Sequence, residues 1–255
     1  MSAFWGVVRY EYRMAIRRWG MWLAFALAAV PIVGGMEVRA AGPGAVAHIW
    51  QAAGTLALGL NFWMPVVGGI VMADRLARDW RVGVHELLAS TLLSPRGYVL
   101  GKYAGVVLAT LTPVLAAELL LAGIACLRGA PAALVPAALV AFLAINLPAY
   151  LFVGAFSLAC PAVLPVRVYQ VLFTGYWFWG NFVNPRAIPS LSETPLAPVG
   201  KFVAAAFFRT GLGGQEAAPP YTAAQAVLNL ATLILCAAVA LAALTGYLKW
   251  QARRA

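Results

Sequence analysis

Acidic side chains are scarce in this chain: eight Asp and Glu stand against eighteen Lys and Arg, and only 10% of the 255 residues are charged. Soluble domains carry about 25% charged residues, so too little charge is present to cover a water-exposed surface. Cysteine is nearly absent as well. Cys126, Cys160 and Cys236 lie far apart along the chain and make no disulfide framework. The two histidines, His48 and His85, fall on opposite predicted sides of a membrane, and no His, Cys, Asp or Glu group has metal-ligand spacing. A Gly-x-Ser-x-Gly elbow and a catalytic carboxylate pair are both missing, which removes the common hydrolytic classes. A phosphate-cradling loop is missing too. Gly101-Lys102 lacks the earlier glycine and the following hydroxyl that bind phosphate and magnesium.

What is present is hydrophobic residue, 63% of the chain, gathered into runs long enough to cross a bilayer core of about 30 Å. These runs predict an all-α polytopic membrane protein with spans at about 19–38, 47–72, 98–127, 132–160, 164–183 and 223–248. The fifth is the weakest, since 168–183 alone makes only about 24 Å of helix and needs Arg167 to snorkel. Val38-Arg39-Ala40 faintly resembles a signal-peptidase site, but the apolar run before it is long, and we read it as a retained first span. Six crossings place both termini in the cytoplasm. Arg9, Arg13, Arg17, Arg18, Arg75, Arg78, Arg81, Arg96, Lys102, Arg167, Lys249, Arg253 and Arg254 then lie inside, which satisfies the positive-inside bias. The net charge of +10 is accounted for by this topology and by anionic lipid, so no nucleic acid partner is implied.

Two segments outside the spans are patterned as helices. In residues 3–18, Arg9, Arg13 and Arg17 share one face, opposite Phe4, Val7, Val8 and Ala15, which predicts a helix lying in the cytoplasmic interface. In the charged island between spans two and three, residues 73–97, Leu76, Trp80, Val84, Leu87 and Leu88 form a second apolar stripe. Gly83 predicts a bend there. A plain connection would not need such a stripe, so the island reads as a docking element.

Asp74-Arg75, Gly83-Val84-His85-Glu86-Leu87-Leu88, Ser90-Thr91, Ser94-Pro95-Arg96 and Leu100-Gly101-Lys102 together resemble the cytoplasmic loop of type-2 ABC transporter permeases, mostly bacterial export subunits. The pattern departs from that family at Val84, where Thr is usual, and at Leu92, where Pro is usual, with Pro95 further on. The resemblance implies a coupling helix in which Asp79, Trp80, Arg81, Gly83, Val84, Glu86 and Leu87 meet an ATP-binding subunit. It also implies two copies of that subunit, holding the ATP and magnesium, a second identical or related permease, no cofactor in this chain, and the cell membrane of a prokaryote. Leu212-Gly213-Gly214-Gln215 resembles the signature of ATP-binding cassettes but falls on the predicted outer side, in the long proline-rich loop 184–222. Within the spans Glu118 is the one carboxylate far from any predicted end and is the first pathway candidate, followed by Asn61 and Asn146. Cargo is left open. So are two other readings: a membrane scaffold or regulatory subunit without a pathway, and an intramembrane enzyme using Glu118.

Overall fold

The computed structural model describes residues 3–35, 45–81, 83, 94–211 and 221–253, and among them there is no strand. The helices are α1 (Ala3–Ile16), α2 (Trp19–Gly35), α3 (Ala45–Arg81), α4 (Pro95–Leu127), α5 (Leu134–Ala141), α6 (Leu147–Ala159), α7 (Val166–Phe182), α8 (Lys201–Phe208) and α9 (Ala223–Ala252). Local chemistry sets several boundaries. Ser94 caps α4 by accepting from the Gly97 amide at 3.1 Å, with Pro95 in the first turn where its missing N–H costs nothing. Thr222 and Gln225 form a reciprocal capping box at the start of α9. Between α5 and α6 a π-helical turn, Phe142–Asn146, widens the coil just before Pro148, the kind of defect that relieves a proline inside a long helix.

Among the described residues, four stretches are long and apolar enough to cross a membrane: Ile49–Asp79, Pro95–Leu127, Leu134–Ala162, which includes the π turn, and Ala223–Gln251. Six were expected from the sequence. Nearest the other two expected spans, α2 runs 17 residues within the described part of the chain, and α7 has 17 residues, about 25 Å, against the roughly 20 residues a crossing needs.

The boundary of the charged island also needs correction. The helical pattern expected of the island is present, but it continues α3 without a break from residue 73 to Arg81, and Arg75 and Leu76, expected to face solvent outside the span, are buried. Paired charges make this possible, because helix ends can leave the apolar layer when carboxylates and cations from neighbouring helices meet. Residues 84–93 lie outside the described residues, and with them the expected contacts at Val84, Glu86 and Leu87.

α3 is the central helix, packed by α2, α4, α5, α6 and α7, while α1 lies along α4 and α9 along α6. Large apolar side chains of α9, among them Leu228, Ile234, Leu235 and Val239, point outward and exposed. On a helix of this hydropathy they form a lipid-facing side.

Candidate functional sites at the two ends of the bundle

The first site is where α1, α3 and α4 meet. Gly101 and Gly105, four residues apart on α4, leave a shallow track for α1: a Cβ on Gly105 would come within 2.7 Å of both Glu11 Cβ and the Val8 carbonyl oxygen. The absence of side chains brings the two backbones close, as in small-residue helix contacts within membranes. Val8, Glu11 and Ala15 are the buried residues of α1. Lys102 Nζ, itself 1% exposed, contacts Glu11 Oε1 at 2.5 Å and Asp79 Oδ2 at 2.6 Å, and the Tyr98 hydroxyl donates to the same Asp79 oxygen. One ammonium therefore ties the N-terminal helix to the last turns of α3.

Arg75 lies beside this cluster, also 1% exposed, with Glu11, Asp74 and Asp79 in electrostatic range, yet no guanidinium nitrogen has a hydrogen-bond partner among the described residues. Glu11 Oε2 is equally unpartnered. A buried guanidinium without acceptors is costly, so the paired carboxylates and the neighbouring Arg75 make a buried polar cluster with hydrogen-bonding capacity unused among the described residues. Of the residues expected to dock an ATP-binding subunit, Asp79 faces inward to Lys102 and Tyr98, Trp80 and Arg81 complete the backbone of α3, and Gly83 adopts φ +72°, a left-handed turn suited to glycine. Arg9, Arg13 and Arg17 are all exposed on the outer side of α1.

The second site is at the opposite end. The chain after α7 is exposed over 186–189 and then turns inward; Ala197, Val199, Val203 and Ala204 are at most 1% exposed. Three asparagines on three helices hold it. Asn61 of α3 donates to the carbonyls of Val199 and Ile145, both at 3.2 Å. Asn181 of α7 accepts from the Val199 amide at 3.1 Å. Asn229 of α9 donates to Pro195 at 2.7 Å and Ala197 at 3.1 Å. Asn146, in the π turn, donates to the Asn61 side-chain oxygen at 2.9 Å and to the Ala57 carbonyl at 3.1 Å. Gly200, at φ +91°, makes the close approach possible, since a Cβ there would meet Ile145 Cγ2 at 2.6 Å. α8 follows, and its far end is fixed by the Thr55 and Thr210 hydroxyls 2.7 Å apart. Buried loop backbone must find partners, and amide side chains supply donors and acceptors together. Lys201, at the start of α8, has its ammonium pushed down to about 8 by burial, with Glu193 opposing the shift.

Glu118, in the second half of α4, is fully buried, and neither carboxylate oxygen has a partner among the described residues. The structure thus joins Asn61 with Asn146 and leaves Glu118 apart from both clusters. The sequence reading missed Glu11, Arg75, Lys102 and the Gly101–Gly105 track as one assembly. A signal for it existed: Glu11 falls between Val8 and Ala15 on the apolar stripe, where a carboxylate calls for a buried cation. In comparisons with known proteins, no family model, curated protein or solved structure matches this chain.

Proposed function

We propose that the chain is the permease subunit of an ATP-driven transporter of the type-2 ABC class, an exporter whose ATP and magnesium are held by a separate subunit. In this reading the chain crosses the cell membrane of a prokaryote six times, with α2 and α7 as short crossings, and pairs with a second permease and two ATP-binding subunits. The observation that carries the proposal is Lys102 bonded at once to Glu11 and Asp79, because it makes α1, the end of α3 and the start of α4 one mechanical unit. Displacement of the 82–94 connection by a partner would move all three helices together. The resemblance of residues 74–102 to permease coupling loops names the partner.

ATP-driven closure of the motor pair would shift this foot, and only interactions that differ between the two conformations can drive the change. At the other end, release of the 195–208 segment from its asparagines would open the path outward. Glu118, buried in α4 without a hydrogen-bond partner among the described residues, is the group a cargo would meet. The reading is tested by purifying the tagged chain from native membranes in mild detergent, with mass spectrometry of what accompanies it and an ATPase assay. Recovery of an ATP-binding subunit with ATPase activity is the expected result, and Glu86→Lys is expected to reduce its recovery. A chain that is monodisperse, without partner or ATPase activity across detergents, would overturn the proposal and favour a scaffold.

A further inference from the structure

We infer that the outer face of α1 is a binding surface for anionic phospholipid headgroups. Glu11 is the sole acidic residue of α1, and it is buried against α4 and neutralised by Lys102. The face left outside is therefore cationic without any compensating carboxylate: Arg9, Arg13 and Arg17 recur every four residues, and all three are exposed. Trp5, 58% exposed, and Tyr10, 66% exposed, flank them on the same helix, and Trp19, 77% exposed, stands just beyond its end.

Arginine interleaved with Trp and Tyr fits the headgroup layer, where the cation meets phosphate and the amphipathic ring lies between water and acyl chain. Placement supports the same occupant. Only residues 17 and 18 separate α1 from α2, and the Trp22 indole of α2 donates to the Ile16 carbonyl at 2.9 Å, closing the end of α1. α2 is apolar along its length, with Leu23, Leu27 and Val30 exposed, so the helix joined to α1 faces acyl chains. A cationic face fixed beside a lipid-facing helix meets headgroups before it meets any protein. Phosphatidylglycerol is the simplest lipid with this chemistry. The surface does not depend on the transport reading.

Gly6 provides the test, because it is on the exposed side of α1 and a Cβ there would meet nothing within 4 Å. The full chain, with its three cysteines replaced and Gly6→Cys carrying a fluorophore, is reconstituted into phosphatidylcholine vesicles containing phosphatidylglycerol. A nitroxide at headgroup level is placed on one lipid or the other. The expected result is several-fold stronger quenching by labelled phosphatidylglycerol, lost at high salt as screening removes the attraction. Each arginine near an anionic surface is worth about a fivefold enrichment, so Arg9→Gln, Arg13→Gln and Arg17→Gln together should bring the two lipids level. Equal quenching by both lipids in the unmodified face would overturn the inference. Quenching by aqueous iodide but by neither lipid would overturn it too and assign the face to a protein partner.

Discussion

The two ends of the bundle are closed by different chemistry. At one, a single ammonium holds two carboxylates from different helices, and a second buried cation stands by without a hydrogen bond among the described residues. At the other, four neutral asparagines distribute bonds over loop backbone and a π turn. The difference teaches where energy is concentrated. Charge pairs buried together fail steeply when one partner is removed, because the other is left uncompensated. Amide contacts fail gradually, each being worth on average only about 0.6 kcal/mol inside membranes. The first arrangement suits a rigid strut and the second suits a seal that opens.

That comparison is sharpened first by Lys102→Met, which strands Glu11 and Asp79 together and should cost about 3–5 kcal/mol, read as thermal unfolding in detergent. Arg75→Met should cost less than half as much, because no hydrogen bond is lost with it among the described residues. Equal losses for the two would show that Arg75 shares the tie with Lys102. Next in size is Gly105→Leu. Its side chain would enter the space of Glu11 and Val8, and overpacking of this kind costs about 1–3 kcal/mol. The loss should appear as cleavage of α1 by added protease while the rest of the chain resists.

At the amide end, Asn61→Leu should cost about 1–2 kcal/mol through the partners it leaves unpaired, with faster hydrogen exchange confined to residues 195–208. A loss larger than that of Lys102→Met would reverse the comparison. The smallest effect is one of pH. The Lys201 ammonium, ordinarily near 10.5, is pushed down to about 8 by burial. Between those values the folded chain holds a neutral amine while the unfolded chain still binds the proton, so stability rises with pH from about 8 to 10.5. The protection factors of α8, hydrogen exchange corrected for its intrinsic base catalysis, should rise over that window, and Lys201→Met should lose the dependence.

Much of the helical layout is legible in the sequence, because long apolar runs leave few alternatives. α4 is expected over 98–127 and found at Pro95–Leu127, and α9 begins at the expected residue 223. The end of α3 was missed for a physical reason. Asp74, Arg75 and Asp79 look solvated when only their own segment is considered, and the groups that balance them, Glu11 and Lys102, stand at distant positions. The asparagines were visible as sparse polar groups within spans. Their actual partners, the carbonyls and amide of 195–199, could not be read, because a proline-rich loop gives no periodic signal for burial. Glu118 stood out in sequence and stands out in structure, still without a partner among the described residues.

In the proposed transporter, force at the charged foot opens the amide-held end. Thr210→Cys, nearly isosteric at a fully buried position bonded to Thr55, reports that end in a chain otherwise free of cysteine. In the reconstituted complex, ATP should make this thiol reactive toward a membrane-impermeant maleimide added outside, and Lys102→Met should abolish the response while ATP hydrolysis continues. A thiol that stays unreactive with ATP, or one that responds equally in Lys102→Met, would contradict the account.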